Sequence, residues 1–107
     1  MIKTGPYAAS KAGINGLTRL TAFELGEHGI RVNTIMPGSV ATERYREIFP
    51  KGAHDPVTDR MLFKRMAEPS EYGAVAVFLA SNLASYVTGQ SLVVDGGTTL
   101  EMPGSRR

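Results

Sequence analysis

Cysteine is absent from this 107-residue chain, which excludes disulfide staples, thiolate nucleophiles and cysteine-ligated metal. Long apolar runs are missing as well. None approaches the ~20 residues of a membrane-spanning helix, and the N-terminus carries no signal-peptide pattern. These absences predict a soluble, cytoplasmic protein with no membrane partner. An excess of one charge is also lacking: 12 basic residues face 10 acidic ones, spread along the chain, for a net charge of +2. That balance argues against an electrostatic nucleic-acid partner. There are no repeats and no low-complexity tracts. What is present is a hydrophobic fraction of 42%, enough to favour folding over disorder, in a length that suits one domain and not two.

The local signals order the chain. Thr4-Gly5-Pro6 is a helix start, with Thr4 or Gly5 as cap and proline where its missing N–H costs nothing. A helix is predicted over residues 7–28, ending at His28-Gly29, with His28 meeting the terminal carbonyls. Residues 30–36, rich in β-branched side chains, read as a strand that Pro37-Gly38 ends sharply. Residues 39–68 form an irregular excursion, with short helical turns expected on either side of Pro50-Lys51-Gly52. A stretch that long in a small domain is usually functional or mobile. Its interleaved charges read as a solvated face. Pro69 opens a second helix over residues 69–81, and residues 90–95 form an apolar strand closed by Gly96-Gly97. The tail from Pro103 to Arg107 is expected to lack regular structure. Helix, strand, excursion, helix, strand is the grammar of an α/β sheet with parallel strands. Two parallel strands make a poor sheet alone, so the chain reads as the end of a larger one.

At 100° per residue, Ala9, Ala12, Gly13, Gly16, Leu20 and Phe23 share one stripe of the first helix. Ile14, Leu17, Thr21 and Leu25 share another, about 100° away. A helix apolar over so much of its girth is expected to be buried on two sides. On the remaining side Tyr7 and Lys11, at i and i+4, can meet. A phenol is a poor proton shuttle at neutral pH unless a nearby positive charge favours its phenolate; a lysine one turn away and the helix N-terminus both do so. The pair is therefore a sensible acid/base couple. By spacing alone, a Tyr and a Lys on a solvated helix face is the commoner reading. His54, near Asp55 and Asp59, has no second histidine in the excursion, so no metal site is expected.

Tyr7-Ala8-Ala9-Ser10-Lys11, continuing Ala12-Gly13-Ile14-Asn15-Gly16-Leu17, resembles the Tyr-x-x-x-Lys helix of the short-chain dehydrogenases/reductases. The likeness continues in order. Gly29-Ile30-Arg31-Val32-Asn33-Thr34-Ile35-Met36-Pro37-Gly38 resembles the next strand and its turn, and Thr42 falls where the family has a cofactor-contacting threonine. Glu68-Pro69-Ser70-Glu71 to Ser81, Thr88-Gly89-Gln90 and Val94-Asp95-Gly96-Gly97 resemble the closing helix and strand. Tyr-x-x-x-Lys alone is a weak signal, whereas five blocks in order are strong.

The resemblance implies an α/β fold, specifically the C-terminal half of a Rossmann-like doubly wound parallel sheet. It implies an oxidoreductase moving hydride between NAD or NADP and a small-molecule carbonyl/alcohol substrate. Tyr7 would be the catalytic acid or base. Lys11 would hold the nicotinamide ribose and favour the phenolate, so both count as catalytic and cofactor-binding. The Pro37-Gly38 turn would lie against the nicotinamide, with Val40 and Thr42 on its carboxamide through main chain and hydroxyl. The excursion from Arg44 to Arg65 would be the substrate lid. Ser10 does not match the family's catalytic serine, which lies farther upstream of the tyrosine than six residues. The Gly-rich pyrophosphate turn of the N-terminal half has no counterpart in these 107 residues, so tight cofactor binding by the chain alone is not expected. A second reading follows: a non-catalytic truncated fragment whose remaining activity is self-association as a homodimer or higher homo-oligomer.

Overall fold

The computed structural model describes residues 4–100; the expected tail from Pro103 to Arg107 lies outside them. The elements are α1 (Gly5–Gly26), β1 (Thr34–Pro37), α2 (Glu43–Ile48), a 3-10 turn (Thr58–Arg60), α3 (Pro69–Ala80), a second 3-10 turn (Asn82–Ala84) and β2 (Ser91–Val94). β1 pairs with β2. Thr34 N–H donates to Gln90 O at 2.9 Å and Gly38 N–H to Val94 O at 3.0 Å. The pairing advances four residues in the same sense on each strand, so the strands are parallel. The described residues fall into two units, residues 4–35 with Ala76–Leu92, and Met36–Val75 with residues 93–100.

In the first unit α1 starts at Gly5, two residues earlier than the pattern suggests, because the Thr4 carbonyl already accepts the Ala8 N–H at 2.8 Å. The Thr4 side chain makes no capping bond. The helix stops at Gly26. Gly29, at φ 72°, adopts the left-handed conformation that lets the chain turn away. The His28 side chain pairs with Glu27 at 3.5 Å instead of meeting the terminal carbonyls.

The strand expected over residues 30–36 begins only at Thr34, and the reason is visible. Arg31 donates to the carbonyls of Leu79 at 2.7 Å, Ser81 at 3.3 Å and Val87 at 3.1 Å. The Asn33 amide donates to Val87 O at 2.9 Å and accepts from Gln90 N–H at 3.0 Å. The Val32 N–H is taken by the Thr88 hydroxyl, and its carbonyl by Gly89 N–H. Residues 31–33 therefore clamp the link between α3 and β2 through side chains where a longer strand would need a main-chain ladder. A second expectation also changes. Only Thr18 and Ala22 of α1 are buried, while Leu17 is 62% and Phe23 86% exposed, so cover on two sides is not found among the described residues.

In the second unit Ala41 N–H donates to Ala67 O at 2.8 Å and Ala67 N–H to Ser39 O at 3.0 Å, a parallel bridge that closes the base of the excursion. Asp55 organises its interior. The buried carboxylate accepts from the Tyr45 hydroxyl at 2.9 Å and from Val57 N–H at 2.8 Å, and its carbonyl accepts from Thr58. Glu71, in the first turn of α3, accepts the Glu68 N–H at 2.8 Å, one half of a capping box. α3 ends at Ala80 and Ser81 caps the following 3-10 turn by accepting Leu83 N–H. No large side chain among the described residues is fully buried; the buried apolar ones are Ala22, Ala41, Met61 and Ala84.

Candidate active site

Tyr7 and Lys11 stand on successive turns of α1 in the first unit. The i, i+4 spacing places the Lys11 ammonium 5.5 Å from the centroid of the Tyr7 ring, within cation–π range. The cation thus rests over the ring and not on the phenol oxygen. Tyr7 is 65% exposed, so its hydroxyl is open to an external acceptor. Ser10 is spent locally: its hydroxyl donates to the Tyr7 carbonyl at 2.8 Å.

Pro37, the last residue of β1, and Gly38, Val40 and Thr42 after it belong to the second unit. A Cβ on Gly38 would lie 2.8 Å from the Asp95 Cα. Glycine is required there by the approach of the two strands, whatever else lies against the turn. The bridge to Ala67 uses Ser39 and Ala41, which aims the N–H and C=O of Val40 at the opposite edge. That carbonyl accepts Thr42 N–H at 2.9 Å, so the N–H is the group Val40 can offer. Thr42 caps α2 by accepting Tyr45 N–H at 3.2 Å, and a hydroxyl used as an acceptor keeps its own proton to donate. Pro37 lines a cavity of about 390 Å³ together with Gly38, Asp95 and Thr98 among others, and Val40 and Thr42 are outside that lining. The one strand-to-helix link among the described residues, 38–42, contains a single glycine, so nothing equivalent is offered to a pyrophosphate.

Three features escaped the sequence pattern. The Tyr72 hydroxyl is buried without a hydrogen-bond partner; Gly38 N–H is near but already donated to Val94, and burial pushes the phenol pKa up. Arg65 grips Glu71 with two bonds of 2.7 and 2.8 Å. That guanidinium, with the Glu68 N–H, holds the carboxyl at about 2 against an ordinary 4.5. Tyr45 is raised by burial and by its bond to Asp55. None carries a sequence signal, since each depends on partners brought close by folding. His54 pairs with Asp59 at 2.8 Å, and no group of three or more potential ligands among the described residues can hold a metal ion. No helix among them is long and apolar enough to cross a membrane.

A Tyr-x-x-x-Lys helix followed along the chain by a parallel strand that runs into Pro37-Gly38 is the pattern of a Rossmann-type oxidoreductase, and comparison with known proteins agrees on that class. A family model described as "Enoyl-(Acyl carrier protein) reductase" matches residues 1–99. The human (3R)-3-hydroxyacyl-CoA dehydrogenase is 43% identical over 91 residues, covering 85% of this chain and 34% of that protein. The 3-oxoacyl-[acyl-carrier-protein] reductase of Thermotoga maritima is 42% identical over 94 residues, covering 88% and 38%. Acetoin dehydrogenase from Enterobacter cloacae superposes with a TM-score of 0.82 at 31% identity, covering all of this chain and 41% of that one. The chain belongs to the short-chain dehydrogenase/reductase family. It spans little more than a third of the length of the two relatives by sequence.

Proposed function

We propose that this chain supplies the catalytic and substrate half of an NAD(P)-dependent oxidoreductase acting on a carbonyl/alcohol pair. The observation that carries the reading is the exposed Tyr7 hydroxyl with the Lys11 ammonium one turn away. When bound, the nicotinamide supplies or accepts the hydride. In the reducing direction the Tyr7 hydroxyl donates its proton to the substrate carbonyl oxygen; in the oxidising direction the phenolate takes the proton of the alcohol. Lys11, one turn away, offers donors to the ribose hydroxyls. Pro37 and Gly38 supply backbone and ring surface for the nicotinamide, Val40 N–H and the Thr42 hydroxyl its hydrogen-bond donors. The substrate class of the relatives ranges from acyl thioesters to acetoin by their names, and a small carbonyl compound is common ground.

The test is Tyr7→Phe in the chain fused to a dinucleotide-binding half. Loss of the proton donor with the ring kept should lower turnover by ~10²–10⁴-fold and leave the substrate KM nearly unchanged. Unaltered turnover would mean that Tyr7 is part of a helix surface only.

The second reading, self-association of this chain as a homodimer or larger homo-oligomer, is favoured by a specific observation. Leu20 and Phe23 are both more than half exposed on α1, and a Cβ added at Gly13 or Gly16, on the same stripe, meets nothing within 4 Å among the described residues. That face is open to close approach by a second helix.

A further inference from the structure

The charges of the excursion converge on a cavity of about 470 Å³ that lies wholly within the second unit, a size in the range of small-molecule sites. Tyr45 and Phe49 form one wall, their ring centroids 5.4 Å apart. Four cations line it, Arg46, Lys51, Lys64 and Arg65, against two acids, Asp55 and Glu68. Both acids are committed: Glu68 pairs with Arg46, and the buried Asp55 carboxylate takes the Tyr45 hydroxyl and the Val57 N–H. Arg65 is held by Glu71. The two lysines differ. Lys64 reaches only a neutral carbonyl, that of Asp59, while Lys51 makes no hydrogen bond or ion pair among the described residues. Two lysines therefore line the cavity with no acid assigned to them. Lys64 is, in addition, the one non-glycine residue of the described chain in the left-handed region, at φ 54°. Such strain is tolerated where the surrounding structure imposes it and clusters at functional sites.

We infer that this pocket binds an oxyanion, a carboxylate or a phosphate, carried on a small organic molecule whose apolar part rests against Tyr45 and Phe49. Lys51 and Lys64 supply the charge-assisted donors. If the oxidoreductase reading above holds, that molecule is the substrate and the pocket selects acidic carbonyl/alcohol compounds over neutral ones. The charge placement itself does not depend on that reading.

The experiment titrates the 107-residue chain, without nicotinamide, with 3-hydroxybutyrate, its methyl ester and glycerol 3-phosphate, following backbone amide NMR shifts. Saturable shifts confined to the excursion are expected for the acid, the phosphate or both, and none for the ester. Binding by the acid alone assigns a carboxylate site, by the phosphate alone a phosphate site. Lys51→Gln should weaken the bound anion roughly tenfold, as for loss of a hydrogen bond to a charged group, with an amide spectrum otherwise unchanged as the check that the variant folds. Lys64→Gly should weaken binding while raising Tm, because glycine takes φ 54° without strain. Equal shifts with the ester, no shifts with either anion, or an unaltered affinity in both lysine variants would overturn the inference. No turnover enters these titrations, so their failure removes the pocket alone and leaves the Tyr7 test to decide the reaction.

Discussion

Gly38 shows how one residue can serve two masters. The family likeness places it against the nicotinamide, but inside this chain it is the Asp95 backbone, 2.8 Å from where a Cβ would stand, that requires glycine. Backbone cannot swing aside as a flexible side chain can. Gly38→Ala should therefore destabilise the fold by ~1–3 kcal/mol, read as a lower urea midpoint at constant m-value. Glu71 carries a pH signature. Its carboxyl is held at about 2 in the folded chain against an ordinary 4.5, chiefly by Arg65 and then by the Glu68 N–H. The unfolded chain thus binds the proton first, and the stabilisation is full above about pH 4.5 and lost as the pH falls through about 2. Glu71→Gln should flatten the stability–pH curve across that interval. Asp95, also lowered, by its bonds to Thr99 and Gly97, leaves a residual slope in the variant. A variant curve identical to that of the parent would show that the Arg65 pair does not persist in solution.

At the level of elements, α2 depends on a residue with two readings. Thr42 caps it by accepting Tyr45 N–H, and its proton remains for a ligand. Thr42→Ala should cost ~1 kcal/mol of stability through the lost cap, measurable by chemical denaturation, whereas Thr42→Ser should restore both stability and the donor. An alanine variant as stable as the parent would leave α2 held by other contacts. The ends of α1 and α3 were legible to within two residues, because proline and glycine punctuate them chemically. The strand over residues 30–36 was not. Ile30, Val32 and their neighbours have strand composition, but Arg31 and Asn33 turn their side chains to the carbonyls of Leu79, Ser81 and Val87, partners about 50 positions away that no local pattern reveals.

At the largest scale, the outstanding feature among the described residues is apolar side chains of α1 that lie exposed. Large side chains on α1 lie open, among them Phe23 at 86%, and burying them would contribute roughly 25 cal/mol per Å² before association costs. A self-complementary helix face closes most simply as a two-fold dimer. Sedimentation of the chain should therefore show concentration-dependent association, and Gly16→Leu should weaken it. A Cβ at Gly16 meets nothing within 4 Å among the described residues, and an unchanged denaturation midpoint checks that the variant folds as the parent does. A parent chain that sediments as a monomer at every concentration would refute the self-association reading.

Sequence by itself determined what local chemistry controls. The Pro6 and Pro69 starts, the glycine after α1, the Gly96-Gly97 turn and the i, i+4 meeting of Tyr7 with Lys11 all follow from backbone freedom and helix geometry over a few residues. The five ordered blocks gave the family. Tertiary structure alone decided which groups lost their solvent and found partners: Asp55 under Tyr45, Arg65 on Glu71, the orphaned Tyr72 hydroxyl beside Gly38, and the two unneutralised lysines of the excursion. It also decided that, among the described residues, Leu20 and Phe23 of α1 lie exposed although the apolar stripes ask for cover on two sides. Periodicity states what a helix can bury, but burial needs a second surface, and only the arrangement of the whole chain shows whether one is there.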